Sequence, residues 1–131
     1  MATTDKLFIN LSNHPSNKWS EDQINAVKEK WNKLINVTFP DIDPEATSTD
    51  INNLCEEYIN KILSIIEFKE CTIENTTVHI MGEMTFVYNM IRILKDKYNI
   101  SCVASTTKRD VTEKEDGTKT SIFKFIQFRE Y

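Results

Sequence analysis

Three short polar stretches of the chain hold the side chains that could bind a small ligand and react with it. They are residues 12–14, 82–85 and 105–109, and each follows an apolar run. Hydroxyl groups, free N–H groups at the start of a helix and a basic pair are groups that bind phosphate. His14 adds an imidazole that titrates near neutral pH, so it is the candidate general acid or base. The combination predicts a site for a small anion, most naturally a phosphate.

The candidate residues fall into two groups by predicted role. The predicted catalytic residues are His14, Ser12, Lys108 and Arg109. Of these, the arginine would clamp phosphate through its planar fork and the lysine would act as a point charge. The predicted ligand-binding residues are Asn13, Trp19, Gly82, Glu83, Thr85, Ser105, Thr106 and Thr107.

A structural alternative stays open for these side chains. His14 could be a loop histidine bonded to the backbone, and the basic pair could be solvated at the opening of a hairpin. Glu83 could simply lie favourably at a helix N-terminus. Trp19 could pack against Ile24 as a hydrophobic staple or offer a stacking surface to a base. His79 lies inside an apolar strand, where a satisfied sheet histidine is favoured over a ligand-binding one.

The sequence predicts neither a metal nor an organic cofactor. Two histidines without a third nearby ligand do not make a zinc site, and Asp41 and Asp43 have no convincing third partner. The chain has neither a GxGxxG motif nor a Walker lysine motif, which argues against dinucleotide cofactors and phosphate-loop NTPase activity. The three cysteines are odd in number and widely spaced, as is typical of reduced thiols in a cytoplasmic protein.

Length and charge limit the classes of protein to which the chain can belong. Its 131 residues, 40% of them hydrophobic, suffice for one core, so a single domain over residues 1–131 is expected. The net charge of -4 argues against a surface that follows a long nucleic acid. The polar start, Met1 to Asp5, lacks the features of a secretory signal, and no apolar run approaches the length of a membrane span.

Hydrophobic periodicity predicts alternating strands and helices that end in a hairpin. The predicted strands are Lys6 to Ser12, Leu34 to Phe39, Thr77 to Met81 and Ile100 to Ala104. The predicted helices run from Ser20 to about Trp31, from near Thr49 along the stripe that ends at Ile66, and from Gly82 to about Leu94. Val111 to Lys114 and Thr120 to Phe128 flank Asp116-Gly117, which suits a two-residue type I′ turn.

This order predicts an α/β fold, a Rossmann-like three-layer sandwich with a mainly parallel sheet and a C-terminal β-hairpin. In such sheets ligands bind beyond the carboxyl ends of the strands. We therefore expect the polar stretches after the first, third and fourth strands to converge at one rim, with residues 105–109 forming the loop after the fourth strand.

Four segments of the chain resemble a known group of proteins. They are LSNHPS, HIMGEMTF, ASTTKR and FKFIQFREY, and they resemble parts of small CRISPR-associated proteins with a Rossmann-like nucleotide-sensing domain. That group is similar to the CARF domains and the stand-alone ring nucleases of type III CRISPR systems. Such proteins bind cyclic oligoadenylates at the two-fold interface of a homodimer. The ring nucleases cleave them without metal, by attack of a ribose 2′-hydroxyl on the neighbouring phosphate.

The resemblance implies roles for particular residues of this chain. Ser12 and the backbone of Asn13 would meet a phosphate, and residues 105–109 would match the hydroxyl and basic residues after the fourth strand. His14 would transfer the proton, while Glu83 and Thr85 would contact ribose or adenine. The resemblance thus implies a cytoplasmic homodimer whose partner is a cyclic oligoadenylate. Because no effector domain is attached, a stand-alone ring nuclease or a binding protein is favoured over a fused sensor.

Two further functions stay open at this stage. The first is a non-catalytic cyclic-nucleotide binding module that acts as a sponge or adaptor. The second is a protein-interaction module that uses the terminal hairpin, with Phe123, Phe125 and Phe128, as an edge for another chain.

Overall fold

The chain folds as an α/β unit around one mixed sheet. A computed structural model describes residues 5–131, so Met1 to Thr4, which belong to the polar start, lie outside the described residues. The elements are β1 (Leu7–Ser12), α1 (Glu21–Lys30), β2 (Lys33–Asn36), α2 (Ser48–Phe68), β3 (Thr76–Met81), α3 (Met84–Tyr98), β4 (Ser101–Glu113) and β5 (Lys119–Glu130), with a 3-10 turn at Ser16–Lys18. The strand order is β2-β1-β3-β4-β5, parallel throughout except for the antiparallel pair β4 and β5. The predicted mainly parallel sheet and the terminal hairpin are thereby confirmed.

The long helix α2 forms where the periodicity predicted it. Thr47 caps its N-terminus, accepting from the backbone N–H of Asp50 while the Asp50 side chain accepts from the backbone N–H of Thr47. The buried stripe consists of Ile51, Cys55, Ile59, Ile62 and Ile66. Burying each of the isoleucines stabilises the fold by roughly 1.5–3 kcal/mol.

The side chains of β1 alternate between two separate hydrophobic cores, one on each face of the strand. Leu7, Ile9 and Leu11 belong to the larger core, which also holds the buried residues of α2 and α3. Phe8 belongs to the smaller core with Val27 of α1 and Val103. Because β1 lies between β2 and β3 and is covered on both faces, all six of its residues are buried.

β2 is shorter than predicted. It ends at Asn36 rather than at Phe39. The Phe39 ring packs edge-on against Phe86, with ring centroids 5.3 Å apart, so the chain leaves the sheet in order to fill the larger core.

β4 is much longer than predicted, and the loop prediction for residues 105–109 is wrong. These residues lie inside β4, which pairs with β3 only over Ser101 to Val103 and then continues with β5 as its neighbour. The antiparallel partner satisfies the backbone beyond the parallel sheet, so the strand does not need to end there. We call the two-stranded extension, residues 106–127, the arm.

The tip of the arm differs from the predicted two-residue turn. Gly117 N–H donates to the Lys114 carbonyl at 2.9 Å, and Lys114 N–H donates to the Thr118 carbonyl at 2.7 Å. Gly117 has φ +86°, while Asp116 is not among the described residues with positive φ. A type I′ turn needs positive φ at both central residues, so the loop has three residues and closes with a glycine bulge.

A second bulge lies at the base of the arm. Thr106 pairs with Gln127 and Thr107 pairs with Phe125, so Ile126 is left without a partner in β4. The extra residue places Phe125 and Phe128 on one face of β5, and their ring centroids are 4.9 Å apart.

Within residues 5–131, none of the helices combines the length and the apolar character needed to cross a bilayer.

Candidate functional site: an aromatic groove over a buried histidine

A groove of about 460 Å³ opens between the loop after β1, the start of α1 and the base of the arm. The residues that line it are His14, Lys18, Trp19, Ser20, Gln23, His79, Ser105, Thr107, Phe123 and Phe125. Its walls are aromatic and its rim is polar, which is the composition of a small-molecule site.

A hydrogen-bond network fixes the loop that carries His14. Asn10 Nδ2 donates to the His14 carbonyl at 2.9 Å and to Asn36 Oδ1 at 3.0 Å. The Ser12 hydroxyl donates to Asn10 Oδ1 at 2.7 Å and accepts from His14 N–H at 3.3 Å. Trp19 Nε1 donates to the same His14 carbonyl at 3.0 Å. The loop backbone is therefore held in place, while the His14 side chain is exposed at the rim.

The network also determines which nitrogen of His79 carries the proton. Ser16 N–H donates to Asn36 Oδ1, which fixes the Asn36 amide, and Asn36 Oδ1 in turn must face Asn10 Nδ2. Asn10 Oδ1 therefore faces His79 Nδ1 at 2.9 Å, and because an amide oxygen can only accept, His79 Nδ1 must be the donor of this hydrogen bond. Nδ1 carries the hydrogen, and Nε2 is left with a free lone pair.

That lone pair has no hydrogen-bond partner within residues 5–131. His79 is 2% exposed, and Nε2 is a buried polar atom without a hydrogen bond. Rings surround the imidazole: Phe8 stacks on it at 5.9 Å, and Trp19 and Phe128 meet it edge-on at 5.3 and 5.5 Å. Leaving a buried acceptor unpaired destabilises the folded protein by about 1–3 kcal/mol. A ligand that donates a hydrogen bond to Nε2 would recover this free energy.

Burial keeps this imidazole uncharged. Desolvation, with a smaller contribution from the nearby His14, lowers the pKa of His79 to about 4. At neutral pH the side chain is therefore a hydrogen-bond acceptor at Nε2 and not a cation.

Some of the predicted site residues meet in this groove. His14, Trp19, Ser105 and Thr107 line it together, whereas Ser12 does not line it and is hydrogen-bonded to Asn10 and to the backbone of His14. The Ser12 hydroxyl is engaged inside the chain, so it positions the loop in this structure. Trp19 packs against Phe8 at 6.1 Å as well as on His79, which is the geometry of an aromatic wall. The catalytic and binding roles of these residues stay predictions.

The basic pair and Thr106 lie on the arm and do not line the groove. Arg109 donates through Nε and Nη2 to the Ser121 hydroxyl at 3.1 and 2.9 Å. Lys108 pairs across the arm with Lys124, and the Thr106 hydroxyl donates to the Gln127 carbonyl. The loop-borne phosphate clamp expected from the sequence is thus absent from the described residues of the groove. Asn13 is exposed in the loop after β1.

The turn after β3 faces a different cavity. Glu83 caps α3 by accepting from the backbone N–H groups of Thr85 and Phe86, and the Thr85 hydroxyl also donates to it. These hydrogen bonds lower the pKa of Glu83. Gly82 lines a separate, mostly apolar cavity of about 650 Å³ beside α3, together with Tyr88. Residues 82–85 therefore do not join His14 in the groove.

The sequence reasoning missed His79 as a groove residue. Its signal was present: β1 carries polar Asn10 and Ser12 on the same face as Phe8, in the middle of an apolar strand. Buried polar groups require partners, and parallel pairing with β3 places Asn10 beside His79. Phe123 and Phe125 were missed as groove residues because their strand was predicted to serve another chain.

Among residues 5–131, no group of three His, Cys, Asp or Glu side chains is arranged to hold a metal ion. One protein-family model, described as the uncharacterized protein MJ1673 family, matches residues 6–129. No curated protein matches the chain, and no solved structure matches it.

Proposed function

The chain belongs to the uncharacterized protein MJ1673 family, and we propose that its groove binds a cyclic oligoadenylate, one adenine entering between the aromatic walls. The observation that carries this proposal is the buried acceptor His79 Nε2, which is surrounded by aromatic rings and has no donor in the part of the chain that the structure describes. The ligand class follows from the resemblance of the loop and strand segments to CARF domains and ring nucleases.

The aromatic side chains suit a base. Trp19, Phe123 and Phe125 line the groove, and Phe123 is 66% exposed, so its ring is available to a ligand. Stacking a base on such a ring contributes roughly 1–3 kcal/mol. A base that slides between the loop after β1 and the arm would touch rings from both sides.

The acceptor favours adenine among the common purines. Adenine presents an amino group, whereas guanine presents a carbonyl oxygen at the equivalent position. An amino N–H would satisfy His79 Nε2, and a carbonyl would repel its lone pair. Because Nε2 is buried and Phe8, Trp19 and Phe128 pack against the imidazole, an adenine can reach Nε2 only if at least one neighbouring side chain moves.

The polar rim suits the phosphodiester. Lys18 and His14 lie at the groove, and the Thr107 hydroxyl adds a donor. Glu21 and Asp22 occupy the first turn of α1 and make that helix end unfavourable for an anion. The phosphate is therefore expected nearer Lys18 than the start of α1.

Metal-independent cleavage of the ring is a second proposal, supported by the position of the His14 imidazole at the rim. His14 would take the proton from a ribose 2′-hydroxyl while the new O2′–P bond forms and the P–O5′ bond breaks. The 5′-oxygen leaves with a proton from the medium, which gives a 2′,3′-cyclic phosphate end. Lys18 would stabilise the developing charge.

The finer fold assignment and the compartment are proposals as well. We propose a Rossmann-like three-layer arrangement, because α1 packs with the smaller core and α2 and α3 with the larger core on the opposite face of β1. Three free cysteines, two of them buried, support a reducing compartment such as the cytoplasm.

Calorimetric titration with cyclic tetra-adenylate tests the binding proposal. A matched ring with inosine in place of adenosine exchanges the amino group for a carbonyl. We expect the inosine ring to bind at least about ten-fold more weakly, since a buried polar group left unpaired costs 1–3 kcal/mol. In the His79→Phe variant this discrimination should vanish.

Control variants sharpen the test. Tyr88→Ala alters the cavity beside α3 and should leave affinity unchanged, whereas Trp19→Ala should weaken it about ten-fold or more. A folded protein that binds neither ring, or both equally, refutes the proposal. For cleavage, His14→Ala should retain binding and lose turnover measured in excess chelator; an intact ring with wild-type protein rejects the second proposal alone.

A further inference from the structure

The cavity beside α3 is separate from the groove and plays no part in the proposed function. Its volume is about 650 Å³, which lies within the range of small-molecule sites, and it shares no lining residue with the groove. One wall consists of side chains from α3, namely Met84, Val87, Tyr88, Ile91, Arg92 and Lys95.

This wall is one continuous face of the helix. Met84, Tyr88, Ile91 and Lys95 follow one another at intervals of four, three and four residues, so their side chains lie one above the other. From Met84 to Lys95 the helix advances roughly 16 Å. The cavity is therefore elongated along α3, with apolar side chains at the start of the helix and cations towards its end.

The apolar end of the cavity is open to solvent. Met84 is 82% exposed and Tyr88 is 67% exposed, although both line a concave surface. Large apolar side chains that remain exposed around a cavity are typical of a binding site. The flexible thioether of methionine also adapts readily to the shape of an apolar ligand. This end of the cavity thus suits an apolar chain.

Tyr131 forms the opposite wall and is held at three points. Its hydroxyl donates to the Ile80 carbonyl at 2.7 Å, and its backbone N–H donates to the Cys102 carbonyl at 3.1 Å. Its own carbonyl accepts a hydrogen bond from Lys95 Nζ. Burial raises the pKa of the phenol, so the hydroxyl stays a donor. A wall fixed in this way needs little further ordering when a ligand binds.

The charged end of the cavity favours an anion. Among the described residues, the Arg92 guanidinium has neither a hydrogen bond nor an ion pair, and the Lys95 ammonium uses one of its three donors on Tyr131. Asp96 also lines this end but lies beyond ion-pair distance of both cations. Two cations therefore face one carboxylate, and the planar fork of arginine matches a second carboxylate supplied by a ligand.

We propose that the cavity beside α3 binds one unbranched medium-chain fatty acid. Its carboxylate lies at Arg92 and Lys95, and its alkyl chain runs along α3 towards Met84. Between Met84 and Arg92 the helix advances roughly 12 Å, which is about the length of an extended chain of about ten carbons. A short carboxylate would leave the apolar end uncovered, and an uncharged chain would leave the cations without a counter-charge. The inference does not rest on nucleotide binding.

Calorimetric titration of the full chain with decanoate, kept below its micelle-forming concentration, tests the proposal. We expect one decanoate molecule to bind per chain. Butanoate carries the same head group but lacks most of the alkyl chain, so it should bind at least about a hundred-fold more weakly. Decylamine carries the same chain with the opposite charge, so it should bind at least about ten-fold more weakly than decanoate.

Variants separate the contribution of charge from that of the apolar wall. Arg92→Gln should weaken decanoate binding about ten-fold and reduce its preference over decylamine. Met84→Ser/Tyr88→Ser changes only exposed apolar side chains and should weaken both ligands by a similar factor of about ten or more. Lys97→Gln removes a cation from α3 outside the lining and should leave decanoate affinity within about two-fold of wild type.

Three results would overturn the proposal. They are a folded wild type that does not bind decanoate, equal binding of decanoate and decylamine, and uptake of many decanoate molecules per chain. An equal loss of affinity in Arg92→Gln and Lys97→Gln also contradicts it. Saturation with decanoate should leave the titration with cyclic tetra-adenylate unchanged, and competition would place decanoate in the groove and overturn the proposal. Circular dichroism confirms that each variant is folded. Failure of cyclic tetra-adenylate to bind refutes the proposed function alone.

Discussion

Lowering the pH from 7 to 4 should destabilise the folded protein through the side chain of His79. The pKa of this imidazole is lowered from 6.5 to about 4 by burial, with a smaller effect of His14. Between those two values the unfolded chain binds a proton that the folded chain does not bind. Stability is therefore full above pH 6.5 and is lost as the pH falls.

The size of the effect follows from the shift. A difference of about 2.5 units, at 1.36 kcal/mol per unit, corresponds to about 3 kcal/mol of unfolding free energy at pH 4. A domain of this kind has only about 5–15 kcal/mol in total, so the loss is large. Glu83 and Asp116, whose pKa values are lowered by hydrogen bonds, add smaller losses of stability below their unfolded pKa values, because Asp116 is exposed and Glu83 is partly exposed.

A comparison with His79→Phe isolates the contribution of the imidazole. The variant loses the bond from Nδ1 to Asn10, worth about 1 kcal/mol, and also loses the unpaired Nε2. At pH 7 its stability should therefore lie within about 1–2 kcal/mol of wild type. Urea unfolding followed by tryptophan fluorescence at half-unit steps from pH 7 to 4 gives both curves.

The difference in unfolding free energy between wild type and His79→Phe, followed from pH 7 to pH 4, tests the role of the imidazole. Carboxylates contribute equally to both proteins and cancel, so between pH 7 and pH 4 the difference should change by about 3 kcal/mol in favour of His79→Phe. If His79→Phe loses stability with the same pH dependence as wild type, the imidazole is not buried and neutral, and the reasoning about its free acceptor fails with it.

Two further predictions concern the larger core and the thiols. Gly82→Ala should lower the free energy of unfolding in urea by about 1–3 kcal/mol, because an added Cβ would lie 2.3 Å from Phe39 Cζ. A Phe39→Leu change in the same protein should relieve part of that loss. Strictly additive effects of the two substitutions would contradict the contact. Burial raises the pKa of Cys55 to about 11 and that of Cys102 to about 12. A thiol reagent at pH 8 should therefore modify only half-buried Cys71 in the native protein and all three thiols in urea. Rapid reaction of more than one thiol in the native protein would contradict this burial.

The repeating core elements could be predicted because their patterns are set by burial. The α2 stripe and the runs of β1 and β3 are mostly apolar where they face the larger core, and the structure places them as predicted. The length of β4 could not be predicted, because the arm is exposed on both faces and has no apolar alternation to mark it. Its Ser, Thr and Lys residues have the composition of a loop.

The candidate site was predicted only in part for a related reason. His14 and Trp19 lie near each other in sequence, and the local loop joins them. Placing His79 in the same site requires the register between β1 and β3 and the orientations of two asparagine amides. Those are tertiary properties that no local pattern specifies.

The unpaired Ile126 acts as a phase shift in β5. Side chains of a regular strand alternate with period two, so residues 125 and 128 would point to opposite sides without an inserted residue. If Ile126 paired with Thr107 instead, β5 would alternate without a break, and each residue of its distal half would pair one position further along β4. Phe123 and Phe125 would then turn away from Trp19, and Ile122 and Lys124 would take their places. The pairing of this one residue thus determines whether the groove side of the arm presents aromatic rings or a lysine to a ligand.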